Sequence, residues 1–493
     1  MDTHRLQRFI ERTWDADVMP ALVDYIAIPC ESPAFDPDWE ATGHMARAVD
    51  LMVCWARDKL DSVIGASVDV VRLPARTPVI FIDIPGDVAA PVLIYGHLDK
   101  QPPMDGWAPG RGAWIPALEG DRLYGRGGAD DGYALFSAIT AVLALREHGL
   151  AHARCLILIE ACEESGSADL PHYVEHLAAC IGVPAVVVAL DAGCGNYDQL
   201  WTTTSLRGQV AGTLTVRVLD EGVHSGDASG VAPSSFRIAR HLLSRLEDPA
   251  SGEIVPAFHA DIPDERRDQA VQAGRALGAG FHRQLPFRGG TAPVSDDPAE
   301  LILNRAWRPQ LAITGIDGLP GVADAAAVMH PATALKLSLR LPPTLDPEAA
   351  AARLKTLLET DPPYGSEVSF RIDMVSRGWH APAIEPWLEA SLARASDSAF
   401  EAPAARIGGG GGIPFLAMLG ERFPQAQFVV TGVLGPQSNA HGPNEFLHVP
   451  TAKRITAAVA HVLRDAHLHA ADRPAATRIT SPSDLPHATL YTL

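Results

Sequence analysis

The glycine-rich stretch at residues 125–132 constrains this chain most, because it holds two adjacent carboxylates in a turn. Asp130 and Asp131 stand between a polar segment and an apolar helical run at residues 133–145. Adjacent acids repel each other and favour water, so their position at the start of a core helix needs a physical reason. They either cap the helix N-terminus or bind a hard cation. Taken alone, the stretch favours the cap.

Composition indicates a globular protein with more than one domain. The chain has 493 residues, which exceeds one ordinary core, and 47% of them are hydrophobic. A formal net charge of −19 disfavours nucleic acid or an anionic membrane as a partner. No apolar run approaches the roughly 20 residues that span a bilayer. We therefore expect neither nucleic acid nor membrane as a partner.

The N-terminal segment and the cysteines indicate the compartment. Residues 1–6 are polar and lack the apolar core of a signal peptide. The six cysteines form no CxxC pair and lie mostly in apolar segments, which is typical of reduced core thiols. We therefore expect a cytoplasmic protein.

Strand and helix patterns alternate through the first part of the chain. Residues 1–60 have helical periodicity, and a helix is predicted at about 132–148. Apolar runs at 92–96, 155–160 and 185–190 predict buried strands. This order predicts an α/β fold whose sheet has parallel members.

The pattern changes near residue 207 and returns near residue 382. Between these points, alternating strands and two helices predict a small α+β domain, with an irregular zone rich in Pro, Gly and charge extending to about residue 300. The predicted strands are 209–220, 333–341 and 367–374, and the helices are 233–246 and 347–359. We therefore predict a catalytic domain from residues 1–206 and 381–493, interrupted by a lid at 207–380.

Potential metal ligands follow the predicted strands. His97 and Asp99 come after one strand, Glu163 and Glu164 after the next, and Asp191 after the third. Sites in open α/β sheets form outside the carboxyl ends of the strands, so these side chains should meet there. His97 and Asp99 share a face, which suits an imidazole held by a carboxylate. The mixed nitrogen and oxygen set suits Zn²⁺ or Mn²⁺.

Each of these residues also has a purely structural interpretation. His97 alone favours a hydrogen-bonded core histidine. Glu163 and Glu164 can be solvated loop acids, and Asp191, with glycines nearby, can cap or form a turn. Adjacent acids after a buried strand also allow one carboxylate to bind metal while its neighbour takes a proton.

Four motifs, in order, resemble the co-catalytic metallopeptidase family. This family includes carnosinase-type dipeptidases, carboxypeptidase G, succinyl-diaminopimelate desuccinylase and aminoacylase. The motifs are Tyr95-Gly96-His97-Leu98-Asp99, Gly125-Arg126-Gly127-Gly128-Ala129-Asp130-Asp131, Glu163-Glu164-Ser165-Gly166-Ser167 and Asn439-Ala440-His441.

The resemblance implies a phosphorylase/hydrolase-like mixed-sheet catalytic domain with an inserted lid, and a site for two divalent ions. Zn²⁺ is the first expectation and Mn²⁺ the second. The resemblance implies that His97 and Asp191 bind the first ion, that Glu164 and His441 bind the second, and that Asp130 bridges both. It implies a cis peptide bond between Asp130 and Asp131. It also implies that Glu163 is the general base and that Asp99 is the partner of His97.

The resemblance extends into the predicted lid. Gly222-Val223-His224-Ser225-Gly226 resembles the motif whose histidine reaches the partner's site in carnosinase-type dimers and stabilises the oxyanion. This implies a homodimer formed through the lid. Arg340 resembles the lid arginine that contacts the substrate carboxylate. Without the other motifs, His224 would be a turn residue, and Arg340 can equally be a surface cation.

The glycine run at residues 408–412 departs from the family pattern. Gly412 stands where the family usually has Ser, and Gly132 stands where dipeptidases often have Lys. The run lacks the Lys-Ser/Thr of a phosphate-binding loop. Gly411 and Gly412 are therefore expected to let substrate approach the backbone.

The predicted activity is metal-dependent hydrolysis of an amide bond in a small substrate. A dipeptide or short peptide with a free carboxylate is the first candidate. An N-acyl-amino-acid deacylase is the alternative within the same chemistry. A non-catalytic binding protein is the third, although the presence of Glu163 argues against it.

Overall fold

The computed structural model describes residues 2–471 and confirms the predicted α/β fold. The strands are β1 Ser67–Val71, β2 Val79–Ile84, β3 Val88–His97, β4 Ala117–Glu119, β5 Arg122–Tyr124, β6 Ala153–Glu160, β7 Val186–Ala189, β8 Trp201–Leu206, β9 Gly208–Arg217, β10 Val223–His224, β11 Gln310–Asp317, β12 Val328–Met329, β13 Ala332–Leu341, β14 Glu367–Ser376, β15 Trp379–His380, β16 Ala405–Gly409, β17 Gln427–Val430 and β18 Phe446–His448.

The helices lie between these strands in chain order. They are α1 Thr3–Thr13, α2 Met19–Ile26, α3 Trp39–Thr42, α4 His44–Leu60, α5 Tyr133–Glu147, α6 Leu170–His176, α7 Ala178–Ile181, α8 Ser225–Ala228, α9 Ser235–Leu243, α10 Asp264–Leu277, α11 Gly280–Arg283, α12 Pro298–Ala306, α13 Pro347–Glu359, α14 Pro386–Phe400, α15 Pro414–Arg422 and α16 Val449–Ala471. None of these helices is long and apolar enough to cross a membrane.

A six-stranded sheet in the order β1-β2-β6-β3-β7-β17 forms the centre of the first part. β2 pairs antiparallel with β1 and β6, whereas the β6–β3, β3–β7 and β7–β17 pairs are parallel. Successive side chains of a strand point to opposite faces. Accordingly, Phe81 of β2 lies in one apolar core, and its neighbours Ile80 and Ile82 lie in another. The apolar runs are buried on both faces because helices cover both.

A second sheet is antiparallel, with the order β11-β13-β9-β14. One face packs on α9 and α13 around Leu214, Leu337 and Leu354. The opposite face exposes residues such as Met374, which pairs with Ala211. The alternating strands and the two helices predicted for this region are confirmed, because one-sided burial gives the period-two pattern.

The prediction of an irregular zone to about residue 300 is wrong over two segments. α10 and α12 form there and pack against β8 and β16, with Trp201 and Ile407 in their shared core. The buried stripe of α10 consists of polar residues, Arg266 and Gln269, and small residues, Ala270, Ala273 and Gly274. Small residues contribute little to a hydrophobic pattern, so the helical signal of this stretch is weak.

The division into residues 1–206 with 381–493 and residues 207–380 stays a prediction. α10 and α12 fall inside the predicted lid segment but pack on strands from both parts of the predicted catalytic segment. Residues 472–493 of that segment lie outside the described residues. The six cysteines are free thiols.

Candidate metal centre

The predicted ligands stand where the central parallel strands end. His97 is the last residue of β3, Glu163 begins a short 3-10 turn after β6, and Asp191 follows β7. β3 lies between β6 and β7, with His97 opposite Glu160 and Tyr95 opposite Ala189. The carboxyl ends of neighbouring parallel strands meet at one edge of the sheet. The sheet order therefore brings together residues that are far apart in sequence.

The turn with the two aspartates lies against this edge. The Asp130–Asp131 peptide is cis, in a five-residue segment from Gly128 to Gly132. Neither aspartate caps α5 through its side chain, so the capping interpretation of the sequence is not supported. A Cβ atom at Gly132 would lie 2.1 Å from a ring carbon of Tyr25, so glycine fits the close contact there.

Asp130 joins two histidines from distant parts of the chain. Its Oδ1 atom lies 3.2 Å from Nε2 of His97, and its Oδ2 atom lies 3.0 Å from Nε2 of His441. Three groups of side chains have potential ligand atoms within 4.8 Å of one another. They are His97 with Asp130 and Asp191, His97 with Glu163 and Glu164, and Asp130 with Glu164 and His441.

Asp99 connects the end of β3 to the acidic turn. Its main-chain carbonyl oxygen lies 3.0 Å from Nδ1 of His97, and its Oδ1 atom lies 3.5 Å from the same nitrogen. Its carboxylate also accepts the backbone N–H groups of Glu163 at 3.1 Å and Glu164 at 3.0 Å. Asp99 thus orients the imidazole and fixes the backbone that carries both glutamates.

The electrostatics of the cluster fit a divalent cation. Burial raises the pKa of Glu163 to about 7, and burial together with the charge of Asp130 raises the pKa of Glu164 and Asp191 well above their usual range. These shifts mean that ionisation is costly here, first because the carboxylates are buried and then because they repel each other. A divalent cation would offset this repulsion, and imidazole with carboxylate is a donor set that Zn²⁺ and Mn²⁺ accept.

Hydrogen bonds bias the two histidines and Asp130 towards ionised forms. Despite burial, hydrogen bonds from His441 and His97 hold the pKa of Asp130 well below its usual range. Burial opposes the charge on His441, but its bond to Asp130 raises its pKa to about 9. Protons thus partly fill the role that a bound cation would have at these atoms.

A buried ion pair that the sequence did not indicate anchors the second histidine. Arg126, in the glycine-rich turn, pairs with Glu445, four residues after His441. The Glu445 carboxylate also accepts the backbone N–H of Gly127 at 2.9 Å. Arg126 lies within a sequence motif, but Glu445 lies outside the motifs, and only the fold reveals that the two pair. This pair holds the segment that bears His441 against the turn that bears Asp130.

The remaining predicted residues are distributed unevenly around the site. A cavity of about 420 Å³ is lined by Asp130, Glu163, Asp191, His441, Gly411 and Gly412. Arg340 is half-buried on β13 and does not line this cavity. The side chain of His224 is 66% exposed and contacts Asp227, away from the cluster.

The glycine run also differs from the expected turn. Gly408 and Gly409 belong to β16, which pairs with β8. A Cβ atom at Gly408 would lie 2.4 Å from the Cβ of Ala306, and one at Gly409 would lie 2.6 Å from a methyl carbon of Leu206. These two glycines therefore serve close packing, and within the run only Gly411 faces open space.

A cluster of imidazole and carboxylate ligands at the carboxyl edge of a mixed sheet is the arrangement of a metal-dependent hydrolase. A model of Peptidase family M20/M25/M40 matches residues 93–465. The chain belongs to this family and is a metallopeptidase, which confirms the resemblance found in the sequence.

Individual relatives agree with this assignment. The cysteinylglycine-S-conjugate dipeptidase of Corynebacterium striatum is 26% identical over 415 residues, covering 81% of this chain and 87% of the relative. The Beta-Ala-His dipeptidase of Rattus norvegicus is 27% identical over 337 residues, which cover 62% of this chain and 65% of the relative. The crystal structure of human carnosine dipeptidase 1 has the same fold, with a TM-score of 0.73 and 22% sequence identity. The match covers 95% of this chain and 99% of the human chain.

Removing Glu445 should destabilise the fold strongly. Glu445→Ala leaves Arg126, which is 1% exposed, as an unpaired buried charge, at a cost of about 3–5 kcal/mol. Denaturant unfolding of the metal-free protein measures this cost. Glu119→Ala is the matched control, because Glu119 pairs with Arg111 on the surface and water screens that pair. Equal effects of the two substitutions would contradict an anchoring role.

Proposed function

We propose that this metallopeptidase hydrolyses the peptide bond of dipeptides or short peptides with a free carboxylate, using two divalent ions. The observation that carries the proposal is Asp130, whose two carboxylate oxygens face His97 and His441. One carboxylate can thereby belong to two ligand groups. The names of the bacterial and rat relatives, both dipeptidases, support a dipeptide as substrate.

The ligand groups suggest how two ions would be held. His97, Asp130 and Asp191 would bind one ion, and Asp130, Glu164 and His441 the other. We propose Zn²⁺ first and Mn²⁺ second, since mixed imidazole and carboxylate sets accept both. When bound, such ions lower the pKa of a water molecule and polarise a carbonyl group.

Glu163 is suited to the role of general base. Its backbone N–H is held by Asp99, and its side chain lines the cavity. Within residues 2–471 no side chain donates a hydrogen bond to its carboxylate, so an oxygen is free to accept a proton. Glu163 would take a proton from the attacking water and deliver it to the leaving amine.

Arg340, Gly411 and Gly412 would bind the substrate carboxylate. Arg340 forms no ion pair with any described residue, and its guanidinium suits bidentate recognition of a carboxylate. At Gly411 a Cβ atom would meet nothing within 4 Å, which leaves room for a substrate beside the backbone. N-acyl amino acids carry the same carboxylate, so they remain the alternative substrates.

We further propose a homodimer formed through the lid at residues 207–380. His224 is exposed and belongs to none of the ligand groups of its own chain, so it is available to act in a second subunit. It would donate a hydrogen bond to the oxyanion that forms during hydrolysis. A cytoplasmic location stays a prediction based on the free thiols.

Metal analysis with activity assays tests the proposed function. Purified protein should contain about two divalent ions per chain, the number that the co-catalytic mechanism uses. Chelation should abolish dipeptide hydrolysis, and added Zn²⁺ or Mn²⁺ should restore it. Metal without dipeptide hydrolysis, but with hydrolysis of N-acetyl amino acids, would establish the deacylase alternative. Metal without either activity would favour a binding protein.

Substitution of the two neighbouring glutamates should separate base from ligand. Glu163→Gln should retain both ions and lower kcat by about 10²–10⁴-fold, because it removes the proton acceptor. The matched variant Glu164→Gln should lose metal, since it removes a proposed ligand. Metal content by mass spectrometry and kcat distinguish these effects. High activity of Glu163→Gln would exclude Glu163 as the base.

Mixed dimers should restore activity if His224 acts across the interface. Glu163→Gln and His224→Ala chains should each be nearly inactive alone. Mixed together, they form dimers in which the His224→Ala chain keeps its base and receives the histidine of its partner. Activity should therefore reappear on mixing and refolding. No recovery in dimers that have exchanged subunits would contradict the borrowed histidine.

A further inference from the structure

Three arginines form a positively charged group, and one of them, Arg305, lines the cavity. They are Arg207, which follows β8, Arg305 of α12 and Arg340 of β13. None of the three pairs with a carboxylate among residues 2–471. This is unusual in a chain with 59 acidic and 40 basic residues, because buried cations are normally paired.

Arg207 has a structural role that accounts for its position. Its guanidinium donates to the backbone carbonyl oxygen of Gly410 at 3.1 Å and to those of Asn304 and Arg308 at 3.3 Å each. These bonds tie the end of α12 to the glycine run. Burial, with the nearby charges of Arg340 and Arg305, lowers the pKa of Arg207 to about 10.

Arg305 has no comparable set of partners among the described residues. It has one long contact, 3.5 Å from a guanidinium nitrogen to the carbonyl oxygen of Gly408, and its Nε atom is buried without a partner there. Its guanidinium carbon lies 4.5 Å from the ring centre of Phe281. A Cβ atom at Gly410 would lie 2.9 Å from the Cγ of Arg305, so the glycine makes room for this side chain.

Arg305 lines the same cavity as the metal-centre acids but forms no ion pair with them. The cavity contains Glu163 and Asp191 as well as Arg305. Burial lowers the pKa of Arg305 to about 10, so the side chain is still charged near neutral pH. A buried guanidinium with free donors is costly unless an anion binds it. An anionic group of a ligand in the cavity would meet this requirement.

The cavity therefore offers a free cation, Arg305, in addition to the proposed metal site. Arg340 is assigned above to the terminal carboxylate, and one guanidinium satisfies one carboxylate in bidentate geometry. Arg305 contacts Gly408 and Gly410, in the same glycine run whose later members would lie beside that carboxylate. An anion bound by Arg305 would therefore come from the same residue of the substrate as that carboxylate.

We propose that Arg305 binds the side-chain carboxylate of the C-terminal residue of the substrate, so that the preferred substrates are dipeptides ending in Asp or Glu. This proposal rests on the proposed dipeptidase function. Arg305 is then a specificity-determining residue, and Phe281 holds the flat guanidinium in place through its ring.

Paired substrates that differ in one charge test the proposal. The metal-loaded wild-type protein should hydrolyse alanyl-glutamate with a higher kcat/KM than alanyl-glutamine. Arg305→Met should lower kcat/KM for alanyl-glutamate roughly 10- to 100-fold, the loss typical of a charged hydrogen bond, and leave alanyl-glutamine unchanged. Arg305→Lys should recover part of the loss. Arg308→Met is the matched control, because Arg308 already pairs with Glu300 at 2.7 Å.

Three outcomes would overturn the proposal. An equal loss for both substrates would mean that Arg305 binds a group common to all dipeptides or supports the fold. No loss for either would mean that it binds no substrate group. A preference for an acidic N-terminal residue, lost in Arg305→Met, would refute the assignment to the C-terminal position.

A binding measurement separates this proposal from the proposed function. Calorimetry on the metal-loaded protein should detect tighter binding of glutarate than of butyrate, and Arg305→Met should remove the difference. If the wild type hydrolyses no dipeptide yet shows this difference, the anion site stands and the dipeptidase function fails. If it hydrolyses dipeptides without the difference, the anion site fails and the function stands.

Discussion

The arrangement of the site depends on burying several carboxylates close together. Asp130, Glu163, Glu164 and Asp191 lie around two histidines, in a place where each acid raises the free energy of ionising its neighbours. Such a cluster is stable only if cations or protons compensate the charge. The bonds from His97 and His441 to Asp130 give part of this compensation, and divalent ions bound to the same atoms would give more.

The fold supplies the rigidity that the cluster needs. β3, β6 and β7 fix the positions of His97, the two glutamates and Asp191, because their hydrogen-bonded register leaves little freedom at the strand ends. The other half of the site comes from turns, which are less constrained. There the buried Arg126–Glu445 pair and the bond from Gly127 lock the two turns together. A paired buried charge of this kind contributes specificity of position more than net stability.

The two walls of the cavity have opposite charge. Acids dominate at the strand ends, whereas Arg305, which has no acidic partner among residues 2–471, lies beside the glycine run. A peptide would complement these walls, because its scissile carbonyl would lie at the acidic metal centre and its carboxylate on the cationic side. The glycines make this arrangement possible: without side chains at residues 408–412, β16 packs against Ala306 and Arg305 reaches the cavity past Gly410.

The sequence by itself determined the fold class, the strands and the identity of the clustered residues, since apolar runs followed at once by His, Asp or Glu are typical of sites at the strand ends of an α/β sheet. The family motifs added the cis peptide and His441, which no periodicity indicates. The roles of these residues stay predictions. Tertiary structure alone decided the rest. The helix α10 was missed because its buried stripe consists of polar and small residues. The pairing of Arg126 with Glu445 is a long-range contact. A hydrophobic pattern in the sequence indicates which residues are buried. It does not indicate that Arg126 and Glu445, 319 residues apart, form an ion pair, because only the folded chain brings them together.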